Sequence, residues 1–293
     1  MLVDLFLIFV IKSFQQLLRH LPERFQRGVG LAMGRGAYFF LAKRRHVAIS
    51  NLKKAFRHLN EKHASRLAKR CFENLGINFV ESLILPFIPK QELVRRFAIK
   101  DRFYVDEVLA LNKGMMALVF HYANWEIMGV ASHFLERDII VLARPLKRHQ
   151  RINEYLNKLR GETGLTVIPN ANTGKDVMRY LKENKIVAIL GDQREKRSRG
   201  VFVEFFGEKA PTSKGIAMIG MKTRTPVVPF YFRRDGFLRY TIVCSPAIEM
   251  ERKGNIEDLI YKNTRKINAF LENLLRERPE DWFWLHRRWA RKK

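Results

Sequence analysis

The chain has 293 residues, of which 47% are hydrophobic, enough for one α/β domain with a full core and ordinary for a globular protein. Fifty-five Lys and Arg against 29 Asp and Glu leave a formal charge of +26, so the surface seeks anionic partners: nucleic acid, anionic lipid or an acidic protein. Two cysteines, Cys71 and Cys244, exclude a disulfide framework and a cysteine-spaced metal site, and both read as buried small hydrophobes.

Residues 2–18 are mostly apolar, interrupted by Asp4, Lys12, Ser13, Gln15 and Gln16. The charge-free part, Leu5 to Ile11, is far shorter than the ~20 apolar residues a span needs. Wound as a helix at about 100° per residue, Asp4, Lys12, Gln15, Gln16 and Arg19 share one side, the pattern of a helix lying in a membrane interface. A tilted anchor and a core-packing amphipathic helix fit the same pattern. A cleaved signal peptide does not, because no basic segment precedes the apolar run. Residues 1–21 are therefore set apart as a membrane-associating helix. Pro22 to Gly36, with Gly28, Gly30, Gly34 and Gly36, reads as a turn-rich connector. Arg24, Arg27, Arg35 and Lys43-Arg44-Arg45 put positive charge just after the apolar segments, which favours a cytoplasmic body. Residues 46–84 read as two helices that Pro86 and Pro89 close, so residues 22–96 form a helical region.

From Phe97 on, short apolar runs alternate with helical patterns: Met115–Phe120, Ile139–Ala143, Thr166–Ile168, Ile186–Leu190, Pro226–Phe232 and Tyr240–Cys244. That alternation predicts an α/β core over 97–293, a mixed and largely parallel sheet flanked by helices. Ile256 to Leu275 is a last long helix, and the tail from Trp282 carries three of the four tryptophans. No phosphate loop and no dinucleotide fingerprint follows a strand.

Met115 to Gly129, MMALVFHYANWEIMG, is the stretch with chemistry in it. A buried strand ends in His121, Asn124 is placed to cap the next helix, and Glu126 follows. His121 thus leaves the carboxyl end of a strand, where open α/β sheets bind ligands. A histidine with a carboxylate in reach is a general base with an orienting partner. The spacing recurs at His133/Asp138 and His149/Glu154. Those two fall late in a helix and at the exposed start of another, so they read as surface histidines.

HYANWE resembles the H-x-x-N-W-E block of the lipid A biosynthesis acyltransferases, which add secondary acyl chains to Kdo-lipid A. That group sits within the H-x-x-x-x-[DE] lysophospholipid and glycerolipid acyltransferases. Other blocks match in order: Arg44-Arg45-His46-Val47-Ala48 with Asn51, Leu52 and Phe56; Gly191-Asp192-Gln193; Val201 to Gly207 with Ala210, Thr212 and Gly215; and Pro279 to Trp289. Together they run from about residue 40 to the end. The resemblance implies a glycerolipid-acyltransferase-like fold and His121 with Glu126 as the catalytic dyad. It also implies an acyl carrier protein thioester as donor, an anionic glycolipid acceptor, and a place on the cytoplasmic face of the inner membrane.

With no G-x-S-x-G nucleophile, the acceptor hydroxyl takes the attacking role and no acyl-enzyme forms. No cofactor and no metal is called for. Arg144 and Asp192-Gln193 leave strands on the sheet edge expected for His121, and Arg160 matches a family arginine; each is a candidate for phosphate, sugar hydroxyls or the thioester. Another glycolipid or lysophospholipid acceptor, such as a phosphatidylinositol mannoside, fits the same motifs. A nucleic-acid-binding protein explains the charge but finds no reading motif.

Overall fold

The computed structural model describes residues 2–143, 148–169, 173–196 and 199–289. Four helices open the chain: α1 (Leu2–Arg19), α2 (Glu23–Phe40), α3 (Ala42–Ala55) and α4 (Glu61–Ile84). A short 3-10 turn and α5 (Lys90–Arg96) lead to the alternating half: β1 (Phe97–Lys100), α6 (Phe103–Ala110), β2 (Met115–Val119), α7 (Ala131–Leu135), β3 (Ile139–Ala143), α8 (Gln150–Glu162), β4 (Leu165–Pro169), α9 (Thr173–Lys182) and β5 (Ile186–Leu190). The hairpin β6 (Gly200–Phe205) and β7 (Glu208–Ser213), α10 (Gly215–Thr223), β8 (Val227–Gly236), β9 (Arg239–Cys244) and α11 (Ile256–Glu277) complete it.

Seven strands form one sheet in the order β1-β9-β8-β2-β5-β3-β4. Within this sheet, among the described residues, only β8 and β9 pair antiparallel and every other neighbour is parallel. The expected mixed, largely parallel sheet flanked by helices is what the chain forms. β2 lies between β8 and β5 with all five residues buried, as expected for a strand covered on both faces. β1 and the β6–β7 hairpin were not among the apolar runs. β1 has only four residues, and the hairpin stands outside the main sheet, with Glu204, Glu208 and Lys209 breaking its apolar pattern.

The connector expected at Pro22–Gly36 is instead the helix α2, a correction with a clear cause. Its glycines are where two helices touch. A Cβ built on Gly34 would lie 2.3 Å from Phe72 O, and one on Gly76 of α4 would lie 2.1 Å from Gly30 O. Gly30, Gly34 and Gly76 let the α2 and α4 backbones meet with no side chain between them, and that contact outweighs the weak helix propensity of glycine.

The amino-terminal segment is a helix, but among the described residues none is long and apolar enough to cross a membrane. α1 lies on α8 and α4. Its Leu18 is fully buried, Gln15 Nε2 donates to Leu83 O at 3.1 Å, and Asp4 pairs with His149 Nδ1 at 2.7 Å. Its other side, with Leu2, Phe6 and Phe9, faces out.

Candidate active site

Val119 and Leu190 are register partners in the parallel pair β2–β5. Two residues beyond each come His121 and Asp192, so register alone sets them level at the carboxyl edge of the sheet, and Gly191 N donates to Val119 O at 3.1 Å to hold them there. His121 Nδ1 lies 2.8 Å from Asp192 Oδ1, and the His121 amide donates to Asp192 Oδ2, also at 2.8 Å. Trp282 Nε1 donates to that same Oδ2 at 2.6 Å. Asp192 is 1% exposed, so its charge is desolvated, and these donors compensate it.

The pair shifts both groups. Burial works against charge on His121, but the charge and hydrogen bond of Asp192, with the field of Glu126, outweigh it and raise the imidazole above its usual value. Burial works against the Asp192 carboxylate too, and the bonds from His121 and Trp282 overcome it and hold the group below the usual range. With its hydrogen on Nδ1 facing the carboxylate, the neutral ring leaves Nε2 as acceptor. Gln193 Nε2 sits 3.0 Å from that nitrogen.

The carboxylate on Nδ1 is thus Asp192, where the sequence pointed to Glu126. Glu126 is engaged elsewhere: Arg160 Nε reaches its Oε2 at 2.9 Å, Arg160 Nη2 its Oε1 at 3.1 Å, and Trp125 Nε1 donates to Oε1 at 3.2 Å. The Arg160 contact is a two-point fork. Asn124 makes no capping bond, and a 3-10 turn, Trp125–Val130, replaces the expected helix start. Its amide is occupied, donating to Glu81 Oε2 at 3.1 Å and to Asn78 O at 3.3 Å. Arg144 lies outside the described residues.

His121, Glu126, Arg160 and Gln193 line one cleft of about 520 Å³, together with apolar Met128, Val141, Leu142 and Ile216. Trp125, Glu126 and Arg160 are a wall shared with a second cavity of about 410 Å³ between α4 and α8, lined by Leu75, Phe79, Leu83, Leu156, Leu159 and Phe283. His133 and His149 stand apart from the cleft. Burial and the charge of Lys90 lower His133 on α7, and His149 pairs with Asp4.

The tail closes the site from behind. Phe283 N donates to His121 O at 3.0 Å, and Tyr122 and Trp282 face each other across a short antiparallel bridge. Asn51 of α3 donates to Trp284 O at 2.8 Å and His286 O at 2.7 Å, and Arg44 Nη1 reaches Leu285 O at 3.3 Å. Arg288, fully buried, binds Pro211 O and Thr212 Oγ1 of β7 and Asn268 of α11. Burial lowers that guanidinium to about 10, against the pull of Asp192. The motif blocks at residues 44–51, 191–193, 210–212 and 279–289 are in this way one connected structure around Asp192.

Sequence reasoning does not single out Trp282, although it lies within the Pro279–Trp289 motif, because a tryptophan says nothing of where its N–H points. Asn78 and Glu81 were missed too. Their signal was faint: two polar residues among buried Ile77, Val80 and Ile84 of α4, where an apolar stripe expects none.

Residues 2–291 match the family of bacterial lipid A biosynthesis acyltransferases. The chain belongs to that family. This acyltransferase is 23% identical to the lipid A biosynthesis lauroyltransferase of Escherichia coli K12 over 270 residues, covering 89% of this chain and 83% of the relative. It is 20% identical to the lipid A biosynthesis palmitoleoyltransferase of the same strain over 262 residues, with 89% and 83% covered. A phosphatidylinositol mannoside acyltransferase of Mycobacterium tuberculosis H37Rv is 25% identical over 230 residues, covering 74% and 68%. An acyltransferase of this family takes an acyl donor and a glycolipid acceptor, and the cleft at His121 opens at the carboxyl edge of the sheet, where open α/β sheets bind ligands.

Proposed function

We propose that this acyltransferase moves a fatty acyl chain from an acyl carrier protein thioester to a hydroxyl of a lipid A precursor, at the cytoplasmic face of the inner membrane. The observation that carries the reading is the His121–Asp192 pair, with Nε2 turned to the cleft and held at 3.0 Å by the Gln193 amide. The acceptor hydroxyl takes the place of that amide. His121 Nε2 accepts its proton as the oxygen attacks the thioester carbonyl, and Asp192 stabilises the imidazolium. When the tetrahedral intermediate collapses, the C–S bond breaks and the imidazolium returns the proton to the departing thiolate. The freed Gln193 amide and the Arg160 guanidinium are cleft donors for the oxyanion and for acceptor phosphate. Glu126 sets the direction of Arg160 and adds its field to His121. The apolar slot between α4 and α8 takes the acyl tail.

The +26 charge supports both proposed partners, an acidic carrier protein and a phosphorylated glycolipid. The exposed apolar residues of α1 and α2, beside Arg24, Arg27 and Lys43, support seating on an anionic membrane. A phosphatidylinositol mannoside acceptor is the second reading, favoured by the mycobacterial relative. Purified full-length protein is incubated with labelled acyl carrier protein thioester and each acceptor in turn, and the products are weighed. One added acyl chain on the lipid A precursor, lost in His121→Ala, is expected. Transfer to the mannoside alone would move the acceptor, and transfer from no carrier thioester would overturn the donor.

A further inference from the structure

Glu81 of α4 is fully buried beneath the active-site turn. Its Oε2 receives Asn124 Nδ2 at 3.1 Å, Tyr240 Oη at 2.5 Å and Arg234 Nη2 at 3.1 Å, and its Oε1 receives Leu238 N at 2.8 Å. Three donors come from β8, β9 and the turn between them; the fourth comes from the strand-to-helix turn His121-Tyr122-Ala123-Asn124. Asn78, one helical turn earlier, grips the same turn: its Nδ2 donates to Ala123 O at 2.5 Å. Ala123 N in turn donates to Asp281 O at 2.7 Å.

That turn needs holding. Ala123 has φ +47°, a left-handed conformation unfavourable for a residue with a Cβ, and it stands two residues after His121 and three before Glu126. A buried ionic cluster of this kind is weak support for stability, since well-packed apolar groups in its place are often as stable. What such a cluster adds is direction, because every bond fixes an angle.

We propose that Glu81 and Asn78 are positioning residues: they clamp the turn through Asn124 and Ala123 so that His121 and Glu126 face the cleft together. This rests on the reading of His121 as the base. A displacement of about 1 Å at a reacting group costs on the order of 100-fold in rate, so the clamp is worth that much to turnover.

The test uses the full chain, with acyl transfer from carrier thioester to lipid acceptor, thermal melts, and pH–rate profiles. Glu81→Gln and Asn78→Ala are each expected to lower kcat about 10–100-fold with KM within about 3-fold, in variants that melt cooperatively. Asn124→Asp places a carboxylate against Glu81 and is expected to lose as much. Adding Glu81→Gln to it restores a donor–acceptor pair and recovers part of kcat. His121→Ala is the reference. If it keeps its activity, the base reading itself fails. If it is inactive while folded Glu81→Gln and Asn78→Ala turn over like the parent, the clamp fails alone. Should Glu81→Gln not fold, Asn78→Ala and Asn124→Asp, which leave Glu81 in place, decide the matter by the same kcat criterion.

Discussion

Trp282 donates its indole hydrogen to Asp192 at 2.6 Å across 90 residues of chain, so the carboxylate that tunes His121 is itself held by the closing segment. Asp192→Asn removes the charge and leaves the imidazole without a defined tautomer. A loss of about 10²–10⁴-fold in kcat is expected, comparable with the loss expected for the proposed base, His121.

The same pair sets the pH dependence. The fold raises His121, so the neutral ring that the proposed base role needs dominates only above the usual histidine range, and kcat/KM should rise with pH through a midpoint above about 6.5. In Asp192→Asn that midpoint should fall. Stability has the opposite sign for His121: the favoured imidazolium contributes fully below about 6.5 and its contribution is lost as pH rises through the folded value. Asp192, held low, contributes above its unfolded value and loses that as pH falls through its folded one. A pH–rate profile beside pH-dependent melts reads both. A midpoint unchanged by Asp192→Asn would show that Asp192 does not tune the ring.

Arg160 and Glu126 form a fork on the cleft wall, each partly exposed. Arg160→Ala should raise KM for a phosphorylated acceptor about 10-fold or more, with a smaller effect on kcat, whereas Glu126→Gln should lower kcat through the lost field on His121. His133→Ala and His149→Ala share the sequence spacing and should keep near-parent kcat. His149→Ala should also loosen α1, because it breaks the bond to Asp4. Initial-rate kinetics on all four variants separate these outcomes.

Gly76→Ala should be among the most damaging small substitutions outside the cleft. The added methyl meets backbone, which cannot rotate away, so a loss of about 1–3 kcal/mol or more is expected in denaturant unfolding. Gly28 and Gly36, on the same helix α2, have open space where the Cβ would go. Ala there should stabilise by about 0.5–1 kcal/mol.

Deleting residues 1–21 is a poor probe of membrane seating, since α1 is packed on α4 and α8 through Leu18, Gln15 and Asp4. Surface changes are cleaner. Phe6 is 65% and Phe40 79% exposed, so Phe6→Ser and Phe40→Ser remove apolar area without opening a core. Cosedimentation with anionic vesicles should fall several-fold in the double variant while melts stay put. Unchanged vesicle binding would place the seat elsewhere.

Strands β2, β3, β4, β5, β8 and β9 were legible because each holds an apolar run with a clear end. The cleft edge was legible too, since His121 and Asp192-Gln193 each follow such a run. Which carboxylate meets the imidazole was not. His121 and Glu126 are near in sequence, but the bond to Asp192 depends on β2 and β5 being neighbours in one register, a fact of topology. The α2 glycines misled for the same reason: glycine at a turn and glycine at a helix crossing look alike until the partner helix is in place. The Ala123 turn was invisible, because its strain is set by α4 and the tail and not by its own residues.

The place of Trp282 in the chain has a consequence for synthesis. Translation delivers His121 and Asp192 long before the indole that caps the carboxylate, and the backbone bond from Phe283 to His121 arrives with it. A chain that stops short of Trp282 therefore carries His121 and Asp192 without the indole and backbone donors that hold them. Asp192 and His121 gain their full set of partners only when residues 280–286 are seated against α3 and α4.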